Sequence, residues 1–127
     1  MSTEKLKVGH VRWRDLAVPN ADAVRDFYAA VAGWKPDACD VGGYSDYNMM
    51  APDGTCIAGV CHSRGVNADL PPQWLMYVTV EDMDQSVAAV TRLGGSLVTQ
   101  PRGLMGSRFC VVRDPAGAVC ALYEPEG

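Results

Sequence analysis

Residues that mark strands, turns and helix ends recur in the sequence at a nearly constant spacing, and this internal repeat limits the possible folds more than any other feature. The matched pairs are Trp13 with Leu75, Val18 with Val80 and Gly33 with Gly95 at a shift of 62 residues, and Pro52 with Pro115 and Gly54 with Gly117 at a shift of 63. Landmarks of different kinds therefore agree to within one residue over about fifty positions. The spacing predicts two copies of one structural unit rather than two unrelated halves.

The first copy begins with a strand and a helix. The strand runs from Val8 to Val18, and Pro19 ends it because proline cannot donate to a sheet ladder. Asn20 is a plausible N-cap, and apolar residues at i, i+3, i+4 and i+7 predict a helix that ends at Gly33. Short strands are predicted near 43–44, 47–51 and 56–61, and the turn tetrad 52–55 joins the last two.

The second copy follows a polar segment, residues 63–72, which is rich in glycine and proline and reads as a linker. A strand at 74–80 leads to Asp82, an N-cap with Gln85 in the capping-box position, and to a helix that ends at Gly94. Strands are predicted near 96–100, 108–113 and 118–123. The 127 residues are thus expected to form one α+β domain of tandem βαβββ modules, at about 8–62 and 73–125.

Composition excludes several classes of function. The net charge is −4 with no basic block, so nucleic-acid binding is not expected. No uncharged run approaches the roughly 20 apolar residues that span a bilayer, and the polar N-terminus has no signal-peptide pattern. The five cysteines are odd in number and form no C-x-x-C pair, which favours reduced, buried thiols in a cytoplasmic protein over disulfides or a zinc cluster.

A set of short motifs resembles the vicinal oxygen chelate superfamily, which includes glyoxalase I, extradiol dioxygenases, fosfomycin-resistance enzymes and bleomycin-resistance proteins. The motifs are Phe27-Tyr28 and Gly33-Trp34 after the first strand, then Gly94-Gly95, Pro101 and the Asp114-Pro115-x-Gly117 turn after the second. The resemblance covers roughly 8–125. It implies a cupped mixed sheet of paired modules, completed by a second copy in a homodimer.

The resemblance also implies where a metal ion would bind, because metalloenzymes of this superfamily take two ligands from each module. The corresponding positions here are Trp13, Ala58, Leu75 and Ala121. None of these side chains coordinates a divalent ion, so no metal and no other cofactor is predicted. An unconventional site that combines His10 and His62 with Glu81, Asp15 or a cysteine remains an alternative.

If those four positions face a cavity, strand alternation adds their neighbours to the same face. The added residues are Val11, Asp15, Cys56, Val60, Tyr77, Thr79, Val119 and Tyr123. The sequence therefore predicts an apolar and aromatic pocket with a few polar groups, which is typical of a small-molecule site.

The polar and aromatic members of this pocket each carry two interpretations. Asp15 is either a general base or an anchor for a cationic ligand, or else it forms a salt bridge or lies exposed at the rim. Trp13 either stacks on a planar ligand or fills the core, and Cys56 is a nucleophile only if a base activates it. Rim positions at loops or strand ends are predicted for Tyr44, Tyr47, Trp74, Met105 and Arg108.

Three functional hypotheses follow from these residues. The first is a metal-independent protein that binds a small or planar molecule, similar to the bleomycin-resistance branch. The second is a metal-free isomerase or lyase that uses Asp15 or Tyr77 for proton transfer. The third is a metal-dependent, glyoxalase-like lyase with displaced ligands.

Overall fold

A computed structural model describes residues 7–104 and 106–126, so the predicted rim residue Met105 lies outside the described residues. The chain divides into two compact units, described separately below: the first unit is 13–74, and the second unit combines 7–12 with 75–126. The elements are β1 Val11–Val18, α1 Ala21–Ala32, β2 Lys35–Asp40, β3 Ser45–Met50, β4 Cys56–His62, β5 Leu75–Thr79, α2 Met83–Arg92, β6 Ser96–Leu97, β7 Arg102–Leu104, β8 Ser107–Arg113 and β9 Val119–Glu124.

The first unit is a mixed sheet with strand order β2-β3-β4-β1. Strands β1 and β4 run parallel, and β3 pairs antiparallel with both β4 and β2. Helix α1 covers one face, which we call the helix face, and the opposite side of the sheet is the distal face. The core on the helix face contains Leu16, Val18, Ala21, Tyr47, Met49 and Val60.

The second unit has the same plan. Strands β5 and β9 run parallel, β9 pairs antiparallel with β8, and β8 also pairs with β6 and β7. Helix α2 covers the helix face over a core of Met83, Cys110 and Val112. The residues before β1 join this unit because Gly9 N donates to Thr79 O (2.8 Å) and Thr79 N donates to His10 O (2.9 Å).

The predicted α+β fold of tandem βαβββ modules is confirmed, with one strand of the first unit displaced from its predicted position and one strand added in the second unit. Strand β2 is exposed along its whole length and lies at the edge of its sheet, where Pro36 is tolerated because no further strand needs its missing N–H. The predicted strand at 43–44 is wrong, since Gly42 and Gly43 both adopt positive φ and lead into β3.

Strand β7 is the added strand of the second unit, and it forms because two separate short strands pair with β8 on the side away from β9. Strand β6 pairs with the Val112 end of β8, whereas β7 pairs with 107–109. Thr99 bridges the gap, since Val111 N donates to Thr99 Oγ1 (3.1 Å) and the Cys110 thiol donates to Thr99 O (3.2 Å). Pro101, two residues after Thr99, cannot donate to a ladder.

The helix ends agree with the sequence at most points. Helix α1 stops at Gly33, which adopts a left-handed φ of 72°. Asp82 caps α2 by accepting a hydrogen bond from Gln85 N (3.2 Å), whereas Asn20 occupies the N-cap position of α1 without a side-chain cap bond. Within the described residues, neither helix has the length and apolar character required to cross a bilayer.

Candidate functional site

The register of the first unit places Trp13 and Asp15 on the distal face. Asp15 is the lateral partner of Gly59 in the parallel β1–β4 pair, so the two residues share a face. Ala58 faces the other way and is fully buried on the helix face, beside Met49. The prediction that Trp13 and Ala58 line one hollow is therefore wrong, and Val60 follows Ala58 onto the helix face.

A β-bulge explains this error. Met49 pairs with Ala58, but Met50 pairs with Cys56, so β4 contains one extra residue at Ile57. Arg14 steadies the bulge, since its Nη1 donates to the Ile57 carbonyl (2.6 Å). Beyond the bulge the two copies align again at a shift of 62 residues, because the pair Asp15 and Gly59 corresponds to Tyr77 and Ala121 in the second unit.

The distal face of the first unit is polar rather than apolar, which corrects the predicted pocket in this half of the chain. One row across the four strands consists of Asp37, Asn48, Gly59 and Asp15, and the next consists of Cys39, Asp46, Cys61 and Ala17. The sequence missed these β2 and β3 residues because only β1 and β4 were assigned to the cavity. This face offers hydrogen-bond acceptors beside one indole ring.

Trp13, Asp15 and Gly59 form a compact arrangement within this face. The indole Nε1 of Trp13 donates to Asp15 Oδ1 at 2.6 Å. A Cβ atom at Gly59 would collide with the same Oδ1, so the carboxylate occupies the space that a side chain at Gly59 would fill. Glycine inside a strand is a sequence signal for such close approach or for a bulge, and both occur here.

The cysteines of the first unit differ in exposure. Burial, followed by the negative charges of Asp15 and Asp46, raises the pKa of the Cys61 thiol well above its usual range. A thiol in this state is a poor nucleophile. Cys39 and Cys56 are exposed, so the prediction of buried thiols is wrong for these two, and Cys56 lies where the bulge begins.

His62 ends β4, and its ring lies between two carboxylates. Nδ1 is 3.4 Å from Asp46 Oδ1, and Nε2 is 3.7 Å from Asp22 Oδ1. The Tyr47 hydroxyl donates to the same Asp22 oxygen (2.5 Å), and this bond raises the pKa of Tyr47. His10 belongs to the second unit, is exposed, and its carbonyl accepts from Thr79.

The distal face of the second unit agrees with the sequence prediction. Tyr77 pairs with Ala121 and Thr79 pairs with Tyr123, while Val111 and Phe109 continue the same two rows on β8. Leu75 lies two residues before Tyr77 and is buried, and the rings of Tyr77 and Phe109 are 6.3 Å apart. This face is apolar and aromatic, and Tyr77 contributes a hydroxyl to it.

The remaining rim residues lie elsewhere. Tyr47 packs in the helix-face core of the first unit, and Trp74 packs against that core and donates from Nε1 to the Tyr28 hydroxyl (3.0 Å). Arg108 lies on the helix face of the second unit, paired with Glu124 (3.2 Å) and Asp84 (3.4 Å). Tyr44 contacts Arg64, whose guanidinium lies 3.8 Å from the ring centroid. These four positions are occupied by structural contacts.

The aligned ligand positions do not fit a metal ion in either unit. In the first unit they are Trp13 and, after the correction for the bulge, Gly59; in the second they are Leu75 and Ala121. None supplies an imidazole, carboxylate or thiolate. Across 7–104 and 106–126, no three His, Cys, Asp or Glu side chains are grouped closely enough to hold an ion.

Comparison with known sequences identifies one family and several relatives. A glyoxalase-like domain model matches residues 14–123. An anthracycline biosynthesis protein of Streptomyces peucetius is 29% identical over 129 residues, covering 91% of this chain and 47% of that protein. A putative glyoxylase of Mycobacterium tuberculosis is 32% identical over 120 residues, covering 91% and 46%. The chain thus spans about half the length of these relatives.

Comparison with solved structures gives the same fold. A methylmalonyl-CoA epimerase of Streptomyces coelicolor, in complex with 2-nitronate-propionyl-CoA, has a TM-score of 0.56 at 19% identity, covering 94% of this chain and 99% of that one. A Mn(II)-bound glyoxalase of Novosphingobium aromaticivorans has a TM-score of 0.57 at 17% identity, covering 95% and 40%. Both proteins have the vicinal oxygen chelate fold, and identities this low establish the fold alone.

Proposed function

This chain belongs to the glyoxalase-like domain family, and from that membership we propose that it is a metal-independent small-molecule-binding protein. Its ligand is small or planar, as in the bleomycin-resistance branch that the sequence resembles. We place the binding surface on the distal face of the first unit, where an aromatic ring and several polar groups lie together.

The observation that carries this proposal is the pair formed by Trp13 and Asp15. An indole ring and a carboxylate lie side by side on a sheet face, both only partly buried, and neither belongs to the α1 core. Small-molecule sites combine such an aromatic surface with a few fixed polar groups that set orientation. The carboxylates of Asp37 and Asp46 on the same face favour a neutral or cationic ligand over an anionic one.

Metal independence is supported by the chemistry of the aligned positions. Trp13 and Gly59 replace the ligands expected from the first module, and Leu75 and Ala121 replace those of the second. A glyoxalase-like lyase needs an ion to polarise substrate oxygens, and these four residues supply no ligand for one. A reducing, cytoplasmic setting belongs to the same proposal, because all five cysteines are free and two of them are exposed.

The relatives suggest which probes to use. Proteins named for anthracycline biosynthesis match most of this chain, and anthracyclines contain a planar fused-ring system. We therefore propose a thermal-shift and calorimetric titration with two planar probes, doxorubicin, which carries an amine, and the uncharged 1,8-dihydroxyanthraquinone. Saturable binding by wild type and its loss in Trp13→Ala supports the proposal, whereas equal binding by both proteins contradicts the assigned surface.

Metal content provides the second test. Protein purified without chelator should contain less than a stoichiometric amount of zinc, nickel, manganese or iron by inductively coupled plasma mass spectrometry. Binding of the planar probes should be unchanged after dialysis against EDTA. A bound ion at one per chain would instead support a metal-dependent lyase whose ligands differ from the four aligned positions.

A second candidate function is a metal-free isomerase or lyase in which Asp15 or Tyr77 transfers a proton. Asp15 favours it, because a partly buried carboxylate beside an accessible aromatic surface is a suitable base. The epimerases among the structural neighbours have the same fold. Asp15→Asn separates the two functions: an enzyme that uses Asp15 as its base loses turnover and keeps its affinity for substrate, whereas a binding protein shows no turnover in either form.

A further inference from the structure

The orientation of the Trp13 ring depends on Asp15. Both side chains project from the same face of β1, two residues apart, and the indole N–H donates to Asp15 Oδ1 over 2.6 Å. A tryptophan side chain has two rotatable bonds, and a hydrogen bond from its ring nitrogen restrains both of them. The ring therefore lies along the strand, with its position set by the carboxylate.

Asp15 in turn depends on Gly59. A Cβ at Gly59 would collide with Asp15 Oδ1 and lie 3.3 Å from Asp15 Cγ, so the carboxylate would have to leave its present position to admit any side chain there. The glycine is not required by its backbone, because Gly59 is absent from the residues with positive φ. The present position of the carboxylate therefore depends on the absence of a side chain at Gly59.

The second unit provides an internal comparison. Its lateral pair at the same place in the repeat is Tyr77 and Ala121, in the same parallel register as Asp15 and Gly59. A methyl group is accommodated there, and the residue beside it has no indole partner two positions before it, since Leu75 stands in place of Trp13. The parallel pairing at this place in the repeat therefore does not itself require glycine.

We infer that Asp15 is a positioning residue, which holds the Trp13 indole as a fixed platform for a planar ring of the ligand, and that Gly59 provides the space this requires. The inference rests on the proposed function and specifies the ligand class as planar. The group required at position 15 is a hydrogen-bond acceptor, not a negative charge. A ring fixed before binding loses less conformational freedom when the ligand stacks on it, which increases affinity.

The test compares Asp15→Asn, which retains an acceptor oxygen, with Asp15→Ala, Gly59→Ala and the double variant that combines the two alanines. The first readout is the indole N–H proton of Trp13 by NMR, assigned through Trp13→Phe, with its rate of exchange with solvent. We expect slow exchange in wild type and Asp15→Asn, and exchange at least about tenfold faster in Asp15→Ala and Gly59→Ala. The double variant should match Asp15→Ala, because the two changes remove one interaction.

The second readout is the affinity for 1,8-dihydroxyanthraquinone, a planar probe without charge. Asp15→Asn should bind within about threefold of wild type, and Asp15→Ala and Gly59→Ala about tenfold more weakly. Equal losses in Asp15→Asn and Asp15→Ala would overturn the inference by showing that charge matters, and an unchanged indole signal in Gly59→Ala would overturn the role of the glycine. If Gly59→Ala fails to fold, the double variant, which lacks the conflicting carboxylate, decides the same point.

The two readouts also separate this inference from the proposed function. Absence of probe binding by wild type, together with the expected indole pattern, contradicts the ligand class and the proposed function while the positioning geometry holds. Probe binding that persists in all variants despite fast indole exchange contradicts the platform role while ligand binding itself holds.

Discussion

At the scale of single residues, Cys61 gives a prediction about alkaline pH. Burial and the nearby carboxylates of Asp15 and Asp46 raise the thiol pKa above its ordinary value of 9.0. The folded chain thus holds this proton more tightly than the unfolded chain, so the stabilisation is complete below pH 9 and is lost as pH rises further. One such proton accounts for at most about 1.4 kcal/mol of unfolding free energy per pH unit.

Urea denaturation between pH 7 and pH 10.5 checks this expectation. Wild type should lose stability with rising pH more steeply than Cys61→Ala, and Cys110 and Cys120, whose pKa values burial also raises, retain part of the slope. Cys56→Ala serves as the control because that thiol is exposed. Parallel slopes for wild type and Cys61→Ala would contradict the assigned environment of the thiol.

The residue scale also shows where inference from the sequence succeeds. Alternation along β1 correctly grouped Trp13 with Asp15, and alternation along β5 and β9 correctly grouped Tyr77 with Ala121. Alternation failed at Ala58, because a bulge between this residue and the turn shifts the strand by one position, which reverses every side chain beyond it. The repeated residues of the sequence did not locate the bulge, because the return to a shift of 62 is visible only in the pairing of β4 with β1.

At the scale of elements, the two helix starts allow a matched comparison. Asp82 accepts a hydrogen bond from Gln85 N at the start of α2, whereas Asn20 makes no side-chain cap bond at the start of α1. Asp82→Ala should therefore lower the free energy of unfolding by about 1 kcal/mol, and Asn20→Ala by clearly less. Chemical denaturation of both variants measures the difference, and equal losses would contradict the assigned caps.

The elements that the sequence missed share a physical cause. Every residue of strand β2 is exposed at the edge of its sheet, so no alternation of buried apolar residues marks this strand. Strand β7 has three residues and pairs only with the first part of β8. Both strands are specified by the neighbours with which they pair, and a single-sequence pattern contains no record of such long-range pairing.

At the scale of the whole molecule, the repeat preserved the backbone plan and allowed the two distal faces to diverge. The first unit presents Asp15, Asp46 and Asn48 where the second presents Tyr77, Phe109 and Val111. The fold was predictable because turns, caps and helix stripes recur in both copies. The polarity of the distal face of the first unit was not predictable. It depends on the register of β3 and β2, which the spacing of the repeated residues does not determine.

The last prediction is a homodimer, and it is argued from helix α1. Its apolar residues Phe27 and Val31 lie one turn apart on the same side of the helix and are 55% and 66% accessible in one copy. A twofold pair is the commonest way for identical subunits to associate, and such a pair would cover this apolar side of α1. Sedimentation equilibrium from about 1 to 100 µM should therefore give a mass near twice 13.6 kDa, with dissociation only at the dilute end. A mass of one chain throughout that range would show that a single copy is the functional unit, and the ligand stoichiometry measured by calorimetry would then have to be one per chain.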